Sequence, residues 1–277
     1  ECSGSHPFEE FVTKIIPSVI SFALGYEDAE RPNQFFGTAF GISLYHKNGL
    51  TDVFLTCSHV FDNLMAELNE SRDKTKFVSL FDDDRFTWKK IETVKRLAPY
   101  KITGDFAEGD LAETHDISLC RVPGTNVPPL TLSDDKYIYG AEVGILGFPN
   151  YEHLQNLDPQ PQILKTIISG ELIYPIETIK GQVNTDRLAL GCVTGHGFSG
   201  SPVFSIETGH IVGMHDYAPI EKDIWEKRER EPQNRDTDVY VEYPGGLSFA
   251  VPSTRLRQAL DLFETHCYRD DVRRFLR

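Results

Sequence analysis

Twelve short segments of strand-forming character, almost none of them separated by a helical pattern, restrict this chain more than any other feature. Residues 18–24, 36–45, 50–57, 76–81, 86–94 and 116–122 are rich in Val, Ile, Phe and Tyr, and turn formers such as Asp28, Pro32 and Asn33 lie between them. Residues 123–129, with three prolines and one glycine, then break the pattern. Strand signals return at 142–148, 163–173, 186–193, 201–206, 210–217 and 247–251. Parallel strands need long crossover connections, usually helices, which the intervals do not supply. The expectation is an all-β fold of two antiparallel six-stranded β-barrels, the first within residues 1–125 and the second within 126–277. Helices are expected over 7–15 and from Ser253 to about residue 266, with a short polar helical turn over 61–69.

Between the strands lies one stretch with chemistry in it: Gly191-Cys-Val-Thr-Gly-His-Gly-Phe-Ser-Gly-Ser-Pro202. A serine flanked by Gly197 and Gly200 can sit on a turn tight enough to expose its hydroxyl and to aim nearby backbone N–H groups at one point. A serine hydroxyl alone is a weak nucleophile. It needs a histidine to take its proton and a carboxylate to orient that histidine. His59, at the end of an apolar strand, and Asp116, at the start of another, are the upstream candidates. With nine histidines and 42 carboxylates in the chain, His115-Asp116 read in isolation is equally a turn.

Charge narrows the class. The 42 acidic and 28 basic residues give a formal −14, which disfavours nucleic acid and anionic membrane surfaces as partners. No run approaches the ~18 apolar residues of a membrane-spanning helix, and no secretory signal is evident. Five scattered cysteines, without paired spacing, read as reduced thiols, so a cytoplasmic setting is expected. A metal site from Cys57, His59 and Cys192 has no spacing to support it, and no cofactor is implied.

In order along the chain, Gly37-Thr-Ala-Phe-Gly-Ile, Leu55-Thr-Cys-Ser-His-Val, Asp116-Ile-Ser-Leu, Gly197-Phe-Ser-Gly-Ser-Pro-Val, Gly209-His-Ile-Val-Gly-Met-His and Leu247-Ser-Phe-Ala-Val-Pro resemble the chymotrypsin-like serine endopeptidases. The likeness is greatest to the bacterial and organellar branch that includes the high-temperature-requirement proteases. The resemblance implies two barrels with the active site between them, Ser199 as nucleophile, His59 as general base, Asp116 as its orienting carboxylate, and the N–H groups of Gly197 and Ser199 as the oxyanion hole. Protein or peptide substrates follow, and a regulatory protein partner is allowed for.

Specificity is read from Val193, Thr194, His215, Asp216 and Tyr217, the residues expected to line the substrate pocket. Thr194 with His215 is similar to the pair that contacts the acyl side chain in glutamyl endopeptidases and in viral proteases that cut after glutamine. Cleavage after Glu is expected first and after Gln second; the other reading of His215 is a buried ring satisfied by backbone. Apolar Val193 argues against Arg or Lys. Phe198 departs from the pancreatic enzymes, which carry there an aspartate that pairs with a newly cut amine, so activation by N-terminal cleavage is not expected. Asp216 on a groove strand has no account at the level of sequence.

Two rival classes are weighed. An α/β-hydrolase esterase needs Gly-x-Ser-x-Gly, but Ser201 stands at the last glycine and the order His, Asp, Ser disagrees. A binding scaffold that has kept the fold without turnover is the non-enzymatic alternative. The charged insertion 218–246 is expected to be a solvated helix and loop, placed to act as a lid, and the tail 269–277 a frayed end.

Overall fold

The structure, a computed structural model, describes residues 7–43, 49–70, 73–97, 116–134, 137–149, 159–178, 181–217, 220–225, 239–244 and 246–267. The acidic stretch 104–115, read from the sequence as a loop, the tail 269–277 and Cys2 lie outside the described residues.

The first half forms one antiparallel sheet. Its strands are β1 (Val19–Tyr26), β2 (Gln34–Gly41), β3 (Val53–Cys57), β4 (Lys74–Asp82), β5 (Arg85–Ile91), β6 (Lys95–Arg96) and β7 (Ile117–Arg121). They run in the order β5-β4-β1-β2-β3-β7-β6. Seven strands therefore replace the expected six. The sheet curls as a half-barrel rather than closing, because its edges, β5 and the two-residue β6, do not pair with each other. Asp83 and Asp84 both hold positive φ, of 47° and 62°, and turn β4 back onto β5 in a two-residue hairpin.

A helix longer than expected, α2 (Ser58–Glu70), springs directly from the end of β3. Val60, Phe61, Leu64, Met65 and Leu68 recur at helical spacing, and the first three are buried. Tertiary packing of that stripe carries the helix back to Ser58, so His59, which follows the end of β3, lies in the first turn of α2.

The second half closes. β8 (Glu142–Gly147), β9 (Gln162–Thr178), β10 (Gly181–Leu190), β11 (Pro202–Ser205), β12 (Ile211–Tyr217) and, after the insertion, a last strand at Ser248–Pro252 form a six-stranded antiparallel barrel. The insertion is not helical where it is described: β13 (Ile220–Trp225) pairs with β14 (Val239–Pro244) as a separate two-stranded hairpin, which makes the closing barrel strand β15. This corrects the helix expected there. α3 (Ser253–Cys267) follows β15, close to the expected bounds.

The two halves share a core. Phe40, Phe54 and Leu55 belong to the same buried apolar cluster as Phe204, Met214, Val251 and Leu256. The connecting segment also stays bonded to the first sheet past residue 126, through Thr51 to Val127 and Gly41 to Leu130, and reaches the barrel at Ile211 only from Thr131 onward. α1 (Pro7–Ile15) crosses as well: Phe8 stacks on Phe204 of the barrel, with ring centroids 6.0 Å apart. Among the described residues no helix is long and apolar enough to cross a membrane.

Candidate active site

Asp116 holds His59 twice. Its Oδ2 meets the imidazole Nδ1 at 2.5 Å, and its Oδ1 accepts the His59 backbone N–H at 2.9 Å. The pairing of β3 with β7 brings them together: Cys57 sits opposite Ile117, so the residues just beyond, His59 and Asp116, meet at the sheet end. Asp116 adopts φ 54°, a left-handed conformation that Asp tolerates better than most non-glycine residues and that turns its carboxylate towards the helix start. The imidazole side chain is 43% exposed and the carboxylate 21%, so the ring is the more open of the two to solvent.

Burial pulls the His59 pKa down, but contact with Asp116 and the charges of Asp216 and Asp62 outweigh it and leave it raised above 6.5. Asp116 is the mirror image. Burial pushes its pKa up, and the His59 ring, Asp216 and the His59 N–H bring it below 3.8.

Ser199 stands between two glycines with positive φ, 93° at Gly197 and 85° at Gly200. A Cβ at Gly200 would lie 2.0 Å from the Thr38 carbonyl oxygen, so that position has room only for glycine. The turn is braced from the other half of the molecule by Thr38 on β2. Its N–H donates to the Ser199 carbonyl at 2.9 Å, and its hydroxyl donates to the Gly197 carbonyl at 2.8 Å while accepting from Phe148 N–H at 3.0 Å. The N–H groups of Gly197 and Ser199 donate to no described residue. A cavity of about 410 Å³ opens over His59, His196, Gly197 and Ser199 and runs along α2 to Glu70. The Ser199 hydroxyl itself donates to the backbone carbonyl of Asp216 at 2.8 Å, not to His59.

The pocket candidates divide. Val193 and Tyr217 are exposed. Thr194 and His215 are buried and bonded to each other, Oγ1 to Nε2 at 2.8 Å. Burial first, and the nearby His59 charge second, push the His215 pKa down to about 3, so its ring is neutral. The Asp216 side chain, expected in the groove, is instead buried against Arg187 on β10, Nε to Oδ2 at 2.6 Å. Phe198 is buried and packs against the His215 ring at 6.2 Å.

Cys57, His59, Asp116 and Asp216 present ligand atoms within 4.8 Å of one another. Each is already committed: the imidazole to Asp116, Asp216 to Arg187, and the Cys57 thiol to the His215 carbonyl at 3.3 Å. Burial, then the two carboxylates, push that thiol well above its usual pKa, so it is protonated in this arrangement.

The model of the trypsin-like peptidase domain matches residues 37–214, more than half of the chain. The chain belongs to the trypsin-like peptidases. As a member it is a serine endopeptidase, a hydrolase of proteins or peptides. No curated protein sequence matches it. Among solved structures, this trypsin-like peptidase is similar to the active form of the Rv3671c protease of M. tuberculosis, at 17% identity and a TM-score of 0.55, over 91% of this chain and 82% of that one. It is also similar to the serine endoprotease of Yersinia pestis, at 15% identity and a TM-score of 0.53, over 96% and 69%. A third is the HtrA-type protease AlgW with a tripeptide, at 15% identity and a TM-score of 0.55, over 94% and 64%. At these identities the likeness is one of fold: a chymotrypsin-like pair of β-layers with short helices.

Sequence reasoning passed over Thr38 and Arg187. Thr38 lies inside Gly37-Thr-Ala-Phe-Gly-Ile, but nothing local says that its hydroxyl reaches residue 197. Arg187, a lone cation beginning the apolar run Leu-Ala-Leu, was a visible irregularity.

Proposed function

We propose that this peptidase works through an acyl-enzyme on Ser199, with His59 as general base and acid, Asp116 as the carboxylate that orients it, and the Gly197 and Ser199 N–H groups as oxyanion donors. The observation that carries this reading is the double hold of Asp116 on His59, at 2.5 and 2.9 Å, beside a cavity that also reaches Ser199. Holding Nδ1 fixes the tautomer and leaves Nε2 to receive the serine proton. The hydroxyl must first leave the Asp216 carbonyl and turn to Nε2. Attack on the scissile carbonyl then places negative charge on its oxygen, where two uncommitted N–H groups can meet it. His59 returns the proton to the leaving amine, and water repeats the sequence on the ester.

For specificity the reading is cleavage after a residue whose side chain ends in a carbonyl oxygen, which Thr194 and His215 are equipped to bind. This pair also underlies the proposed kinship with glutamyl endopeptidases. The sequence favours Glu over Gln; the neutral, buried His215 reverses that order, because a carboxylate entering there finds no positive charge. Incubation with a fluorophosphonate probe and mass spectrometry of the adduct tests the nucleophile directly. Label on Ser199, blocked in Asp116→Asn, is expected; label elsewhere or none ends the proposal.

A further inference from the structure

We infer that Arg187 and Asp216 are positioning residues of the active site, holding Asp116 from the barrel side and fixing the net charge that His59 faces, so that the working unit is a run of four side chains: Arg187, Asp216, Asp116 and His59. The inference rests on the triad reading above and adds the residues behind it.

Geometry carries the argument. Along β12, His215 pairs with Ala250 and Tyr217 with Phe249, so Asp216 is the extra residue of a β-bulge. A bulge redirects a side chain that regular alternation would place elsewhere. Here the carboxylate goes inward, 6% exposed, onto an Arg187 that is 1% exposed. Buried ion pairs of this kind add little net stability compared with apolar residues of the same volume, so packing alone does not account for one. What the pair does adjoin is the reaction centre. The carboxylate of Asp216 lies within 4.8 Å of the ligand atoms of His59 and Asp116, and its backbone carbonyl holds the Ser199 hydroxyl.

Two carboxylates this close in a buried site repel, and one takes up a proton unless a cation balances them. Arg187 supplies part of the balance: with both carboxylates ionised, a state reached as pH rises through the Asp216 value of about 7, two negative charges and one positive leave −1, the charge of a lone aspartate beside the imidazole. The other groups facing His59 contribute less. Asp62 on α2 is paired with Arg96 at 2.9 Å, the Cys57 thiol is neutral, and so is the His215 ring. The crowding has a chemical sign, since burial and the Asp116 charge push Asp216 up to about 7, against the pull of Arg187.

The test uses Ser199→Ala protein, where the His59 ring is titrated by NMR without turnover. Replacing Asp216 by Asn keeps the backbone and shape, removes one negative charge, and is expected to lower the His59 midpoint by roughly one pH unit. Removing both charges, in Arg187→Met/Asp216→Ser, restores the balance and is expected to return the midpoint towards that of the parent. A purely structural pair would change stability without this down-and-back pattern, and an unchanged midpoint in Asp216→Asn overturns the inference. Should that variant not fold, carboxyl-carbon titration of the parent decides instead. Asp216 and His59 sharing inflections supports coupling, and independent curves overturn it. Turnover surviving Ser199→Ala would sink the triad reading alone, because the titrations do not depend on it.

Discussion

The hydroxyl of Ser199 is hydrogen-bonded to the main-chain carbonyl of Asp216, 2.8 Å away, in the resting molecule. One bond of this kind is worth about 1 kcal/mol net, small against a catalytic barrier, so it tunes readiness without blocking reaction. Replacing Ser199 with Ala therefore separates chemistry from folding. Peptide hydrolysis is expected to fall by at least ~1,000-fold. The urea-unfolding free energy is expected to move by no more than about 1 kcal/mol.

The raised pKa of His59 fixes the direction of the pH dependence. Only the neutral ring accepts a proton, so kcat/KM should rise with pH through a limb whose midpoint lies above 6.5. Stability runs the other way for this group: its contribution is full below 6.5 and is lost as pH rises through the folded value. For Asp116, whose pKa is depressed, the contribution is present above 3.8 and is lost as pH falls through the lower folded value. Asp116→Asn should reduce kcat by several orders of magnitude, roughly 10,000-fold where the tautomer is lost, and move the acid limb to lower pH. A limb centred below 6.5 in the parent enzyme contradicts the geometry at His59.

Thr38 ties the two halves at the turn that carries Ser199. Thr38→Val keeps its shape but strands the Gly197 carbonyl and the Phe148 N–H, both now bonded to its hydroxyl. Leaving buried polar groups unpaired costs about 1–3 kcal/mol each, so unfolding should shift by a few kcal/mol. With the peptide at Gly197 no longer held, the proposed oxyanion donors lose their aim, and kcat should fall by about 100-fold with little change in KM.

Gly200 and Gly195 make a matched pair on the same loop. Gly200→Ala forces a Cβ onto the Thr38 carbonyl at φ 85°, whereas a Cβ at Gly195 meets nothing within 4 Å. The first should destabilise by more than about 2 kcal/mol and the second by less than about 0.5. Equal melting temperatures for the two variants would mean that the turn is not braced as described.

The strands, the terminal helices and the meeting of His59 with Asp116 were legible because each rests on local signals or on an ordered set of motifs. What was not legible depended on distance. α2 begins at Ser58 because a buried stripe down to Leu64 pulls the first turn in, which a polar opening conceals. The unexpected extra strand, β6, is only two residues long and exists through its pairing with Arg121 and Cys120 on β7. The hairpin in the insertion was hidden by charge, since alternating acids and bases read as a helix face until two strands pair across them. Asp216 was visible as an anomaly, and its meaning needed Arg187, two strands away across the barrel.

The proposed specificity gives a pH test of its own. In this reading His215 stays neutral above about pH 3 and, once its bond to Thr194 opens, offers an N–H, but no charge, to a substrate oxygen. A glutamine amide matches that donor, and a glutamate matches it only when protonated, with a reference pKa of about 4.3. Between paired fluorogenic peptides that differ only in the residue before the scissile bond, Gln should be favoured over Glu by at least ~10-fold at neutral pH, narrowing as pH falls towards that value. Thr194→Val removes a donor and should lower kcat/KM for the Gln peptide by about 10–100-fold, while probe labelling of Ser199 is left intact. A Glu preference that holds at neutral pH, or a Gln-to-Glu ratio indifferent to Thr194→Val, would show that the pair serves packing, with the substrate read by Val193 and Tyr217 instead.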